Sequence, residues 1–162
     1  MESPQQLANR LREVILNGTW IANTNYQMLL ADVNLEMANM KIGSVNTIGQ
    51  LTYHINYYID GVNHVFDNGS LEIKDIYSFD MPALETEVGW NMLKKQLFQN
   101  GEKLALNVEK MTSQELDAIF VLEKYGTYRR NIEGMIEHAY YHLGQISLIK
   151  KMIIGKSKID NC

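Results

Sequence analysis

NIEGMIEHAYYHLGQISLIKKMII, residues 131–154, decides the fold. Ile132, Met135, Ile136, Ala139, Leu143 and Ile146 recur at intervals of three and four, the spacing of one apolar helix face. His138 and His142 are four residues apart, so on a helix turning about 100° per residue they stand one turn above the other. His142 falls at the edge of the apolar face and His138 roughly 40° further round. Two imidazoles so related can converge on one ion, with nitrogen to metal distances of about 2 Å.

Upstream, Asn46 or Thr47 can open a helix whose stripe is Ile48, Leu51, Ile55, Tyr58, Val62 and Phe66, closing at Asn68-Gly69. His54 lies roughly 75° from the centre of that stripe and points inward, whereas His64 lies roughly 155° away and points to water. A third helix starts near Thr86 and carries Trp90, Leu93, Leu97, Leu104, Val108 and Met111. Gly101 inside it costs about 1 kcal/mol against alanine. Before Gly43, the run Ala22, Tyr26, Leu29, Val33, Met37, Met40 predicts a long helix from Thr19. Ser3-Pro4 opens a short leading helix through Leu7, Leu11, Val14 and Ile15 to Asn17-Gly18. Residues 70–85 show no period and are long enough to run back along a bundle, permitting parallel neighbours. Residues 112–129, with Ile119, Phe120, Val121 and Tyr125-Gly126, suit either a small hairpin or an ordered loop. The fourth helix runs from about Asn131 to Ile154. The expectation is one all-α domain over residues 1–162.

Composition narrows the function classes. The chain holds 15 Lys and Arg against 19 Asp and Glu, a net charge of -4, which offers no general attraction for nucleic acid phosphates. Lys150, Lys151, Lys156 and Lys158 gather at the end, where cations suit the helix dipole. The start, Met1-Glu2-Ser3-Pro4, lacks a basic and apolar leader, and no apolar run is long enough for a membrane span, so a cytoplasmic protein is expected. Cys162 is the single cysteine, so no internal disulfide is possible and any metal ligands are His or carboxylate.

An i, i+4 pair of histidines alone is weak evidence, and a lone inward histidine is more often a hydrogen-bonded core residue. Together, His54, His138 and His142 place three neutral imidazoles inside one small bundle, each needing a partner for its buried nitrogens, and a shared metal supplies all three. Gly134, one turn before His138, and Gly61, seven residues after His54, either leave room for a ligand or serve helix packing. Imidazole suits Zn and Ni, and also Fe and Cu.

Two segments resemble the DinB-like superfamily: Thr47-Ile48-Gly49-Gln50-Leu51-Thr52-Tyr53-His54, and Glu137-His138-Ala139-Tyr140-Tyr141-His142-Leu143-Gly144-Gln145-Ile146. The likeness spans about residues 19–154. It implies a four-helix bundle in up-down-down-up order with a long crossover between helices two and three, and one divalent metal held by His54, His138 and His142. It further implies a homodimer and a small-molecule substrate. Characterised relatives include transferases and isomerases that use a low-molecular-weight thiol such as bacillithiol, mycothiol or glutathione. The family name refers to induction by DNA damage and carries no implication of DNA binding.

Three protein ligands leave a coordination position open, the arrangement of catalytic zinc. Such an ion could activate a water for hydrolysis or a thiol for transfer to an electrophile. Tyr58, one turn from His54, and Gln145, three residues past His142, are the candidate helpers, although each also suits a purely structural role. Glu137 adjoins His138 on another face and the sequence is not HExxH, so a zincin-type general base is excluded. The alternatives are a non-catalytic metal or small-ligand binding protein connected with stress, and a plain bundle with core histidines. Metal release is expected as acid protonates imidazoles of ordinary pKa, about 6.5.

Overall fold

The computed structural model describes the backbone of residues 1–160, with side chains through 155. Cys162 and the side chains of Lys156 and Lys158 lie outside the described residues.

Capping chemistry sets the long helices. Ser3 and Gln6 form a reciprocal capping box with Pro4 at the first turn, opening α1 (Pro4–Arg12), which continues into a π-helical turn, Glu13–Asn17. A Cβ on Gly18 would lie 2.1 Å from Glu13 Cγ, so only glycine lets the chain leave this turn. Two short helices follow, α2 (Tyr26–Leu30) and α3 (Leu35–Asn39). Thr47 and Gln50 box the start of α4 (Ile48–Asn68), and Gly69 ends it in the left-handed conformation, φ 75°. Thr86 caps α5 (Glu87–Glu109); α6 (Ser113–Leu116) and α7 (Tyr128–Asp160) complete the chain. No strand occurs among the described residues; the single β-bridge joins Ile119 to Thr127.

The expected long helix from Thr19 to Met40 is not formed. Asn25 and Asn34 turn their side chains onto the amides of Met28 and Met37, so each starts a new short helix instead of continuing an old one. Asn25 also donates to the Gly18 carbonyl, and Asn23 adopts a positive φ of 54°. Tyr26, Leu29 and Val33 are nevertheless buried, because the broken segment still lays them on the core. The leading helix α1 packs along α5, with Arg12 paired to Glu102 and Glu109 at 3.0 and 2.7 Å. The other side of α5 packs on α4, and α7 contacts both α4 and α1.

Between α4 and α5 runs a ladder of amides. Asn100 donates to Asn56 and Asp60, Asn63 donates to the Asn100 carbonyl, and Asn107 donates to Asn63. The core around it is aliphatic, joined by Trp90 and Tyr26, whose polar tips donate to the carbonyls of Val33 and Ala139.

The connector contains one 3-10 turn, Asp75–Tyr77. Residues 112–129 combine both expectations: α6 leads into an ordered loop with a 3-10 turn at Glu123–Tyr125 and Val121 at φ 56°, closed hairpin-fashion by the antiparallel Ile119–Thr127 bridge. The last helix begins earlier than Asn131 because the Thr127 hydroxyl accepts from Arg130 N, and it continues past Ile154. Lys150 is therefore not in a last turn; it donates to the Leu29 carbonyl and pairs with Asp32.

Candidate metal centre

α4 delivers His54 and α7 delivers His138 and His142, and the three rings meet. His138 Nε2 lies 3.2 Å from His54 Nε2 and 2.9 Å from His142 Nε2. The rings stand nearly perpendicular to one another, at 79°, 74° and 70°. His54 and His142 are buried and His138 half-buried, in the order that helical geometry predicts. His64, outside the cluster, is half-exposed and sits 3.2 Å from Glu72.

The outer nitrogens fix what the inner ones can do. His54 Nδ1 faces the Ser78 carbonyl at 3.3 Å and His142 Nδ1 faces Gln145 Oε1 at 2.8 Å. Both oxygens accept, so both rings carry their proton on Nδ1 and present a bare lone pair at Nε2. These lone pairs converge on His138 Nε2, which can donate at most one hydrogen. At least one lone pair therefore lacks a donor within the cluster, and a cation satisfies all three. Nitrogens about 2.0–2.1 Å from a tetrahedral ion lie about 3.3 Å apart, close to the two spacings from His138, and all three ligand atoms lie within 4.8 Å of one another. The residues present fit a divalent metal.

Electrostatics favour the neutral ligands a metal requires. Burial, then the neighbouring imidazoles of His142 and His54, pushes the His138 pKa down to about 4. Burial and His142 also lower that of His54, and burial lowers that of His142.

Three participants come from the connector, where no periodicity announced them. Phe79 stacks on His54 with centroids 4.0 Å apart and planes within 13°, covering that ring. Ser78 is buried and supplies the carbonyl. Asp75 accepts from the Tyr58 hydroxyl at 2.9 Å. Tyr58 is half-buried: it packs against the core with its hydroxyl satisfied, while its ring stands edge-on to His54 and His138 and its phenol is raised in pKa by burial and Asp75.

Two cavities lie near the cluster. One, about 650 Å³, is lined by Tyr58, Asp75, Gly134 and His138 among others. The other, about 610 Å³, is mostly aliphatic and touches the cluster only through Gln145, on the far side of His142 from Nε2. Only the first is lined by a histidine of the cluster, His138. The glycines divide accordingly. A Cβ on Gly134 would meet nothing within 4 Å, so this glycine leaves open space beside His138. A Cβ on Gly61 would come within 2.6 Å of Ile73, so that one admits the connector. No family model, curated protein or solved structure matches the chain.

Proposed function

We propose that the chain is a metal-dependent enzyme acting on a small molecule, either a thiol S-transferase or a hydrolase, with one divalent ion, Zn or Ni foremost, held by His54, His138 and His142. The observation that carries this reading is the pair of bare Nε2 lone pairs aimed at a third imidazole nitrogen. An ion bound there supplies Lewis acidity, lowering the pKa of a thiol or water toward neutrality. The chain's own residues then have distinct tasks. Ser78 and Gln145 hold two rings in the ligating tautomer, and Phe79 shields His54 from water. The Tyr58 hydroxyl, anchored by Asp75, stands at the cavity wall where it can orient a substrate or hold a proton.

The same reading supports the resemblance to the DinB-like superfamily and its up-down-down-up bundle, with α1 in place of the broken segment. Asn63 and Asn107 lie seven residues beyond Asn56 and Asn100 on their respective helices, a pairing that suits parallel α4 and α5 joined by the 70–85 crossover. A homodimer belongs to the same proposal.

The test is elemental analysis of tag-free protein, followed by turnover assays with thiols plus electrophiles and with esters and amides. About one metal equivalent per chain and metal-dependent product from one panel are expected. No metal uptake, even with added zinc, removes the centre; metal without product from any panel removes the enzyme. A second reading, a non-catalytic metal or small-ligand binder, is favoured by the engagement of Asp75, the acid lining that cavity, with Tyr58. Tight ligand binding without turnover would select it.

A further inference from the structure

The cavity that opens onto His138 carries a charge pattern unlike that of the chain. The whole sequence is acidic, at -4, yet this cavity is lined by Lys74, Lys124 and Arg130 against one acid, Asp75. The three cations come from three places: the connector, the loop before α7, and the first turn of α7. Asp75 is occupied by the Tyr58 hydroxyl. Arg130 has only a loose neighbour, Glu137 at 3.6 Å, with both side chains about two-thirds exposed. Lys124 rests its ammonium over the Tyr125 ring at 4.7 Å and has no acid partner among the described residues; nor has Lys74. Three cations around one concave surface focus potential into it, and an anion entering meets donors whose existing partners are a loose acid at 3.6 Å and an aromatic ring. The depth of the cavity is apolar, with Val62, Met135 and Phe120 buried along its wall, and Gly134 keeps it open.

We propose that this cavity binds a small-molecule oxyanion, a carboxylate or phosphate held at the rim by Lys74, Lys124 and Arg130, with the remainder of the molecule directed along the apolar wall toward His138 and Tyr58. It builds on the metal-centre reading for what the ligand's inner end meets, and it names the class of substrate: anionic at one end, small, with an apolar body. The aliphatic cavity beyond Gln145 carries no such cations and is not part of this site.

The test is calorimetric titration of the full chain at pH 7.5, metal-free and zinc-loaded in parallel, with succinate, inorganic phosphate and the uncharged control succinamide. Both anions should bind the metal-free protein saturably, compete with each other, and weaken in 0.5 M NaCl, while succinamide binds at least tenfold more weakly. Tighter binding of succinate assigns a carboxylate, and of phosphate a phosphate ester. Lys124→Ala and Arg130→Ala, both at exposed positions, should each weaken binding about fivefold to tenfold, and the triple variant with Lys74→Ala more than fiftyfold. Equal binding of succinamide and succinate, no saturation by either anion, or an undiminished triple variant would overturn the proposal. Anion binding by a protein that takes up no zinc leaves this inference standing and removes the metal reading; zinc uptake without anion binding does the reverse.

Discussion

Gln145 is the residue whose removal tests the tautomer argument most directly. Its Oε1 is the acceptor that places the His142 proton on Nδ1, so Gln145→Leu frees that proton to move to Nε2, where it competes with the ion. Zinc affinity, measured by competition with a chromophoric chelator, should fall about 10-fold to 100-fold. An unchanged affinity would mean that the amide does not set the ring. Acid competes through the same atoms. Because burial lowers the pKa of all three imidazoles, that of His138 to about 4, they remain neutral below the ordinary value. Zinc should therefore be released with a midpoint below the free-imidazole value of about 6.5, and a release centred at or above that value would contradict the arrangement. The sign for the metal-free fold agrees. The unfolded chain binds more protons than the native one between about 6.5 and the depressed native values, so stability is full above that window and is lost as pH falls through it. Thermal melts from pH 7 to pH 4 should record that decline.

At the scale of elements, glycine and asparagine separate what the sequence discloses from what it conceals. Gly101 reads as a defect inside α5, but a Cβ there would lie 2.8 Å from Ile15 Cγ2, so this glycine is what lets the π-helical turn after α1 lie against α5. Gly101→Ala should therefore destabilise by about 1–3 kcal/mol in chemical denaturation, because overpacking against a β-branched side chain outweighs the roughly 1 kcal/mol gained in helix propensity. A stabilised variant would place the helices further apart. The boundaries marked by Ser3, Thr47, Gly69 and Thr86 were legible since each carries its own capping chemistry. So were the faces of His54, His138 and His142, which follow from helical rotation alone. The break after Thr19 was not legible: Tyr26, Leu29 and Val33 keep helical spacing through it, and an asparagine reads alike inside a helix or capping the next. Asp75, Ser78 and Phe79 were hidden for a different reason, being brought to His54 by tertiary packing of an aperiodic connector.

For the whole molecule, the outer face of α7 bears on association. Tyr141, Leu148 and Met152 are 64%, 60% and 43% exposed, and their spacing of seven and then four residues lines them along one side of the helix. Leu148 borders two shallow cavities at once, one shared with Val45 and Met152 and the other with Ala22 and Thr24, so the apolar surface extends from α7 onto both adjoining loops. Trp20 and Ile21, 86% and 64% exposed, belong to the second of these loops. Thr24, Ser147 and Lys151 stand among these groups, and exposed apolar side chains gathered in one region mark a candidate contact surface. A second copy could cover it by two-fold pairing of the same face, since self-complementary contacts close on themselves. The proposed homodimer therefore predicts a mass of about twice the 18.6 kDa chain by light scattering after gel filtration. Leu148→Glu, which sets a charge at the centre of the patch without touching the core, should return the single-chain mass while leaving the helical circular dichroism unchanged. Wild-type protein that runs as a single chain at micromolar concentration would refute pairing through this face.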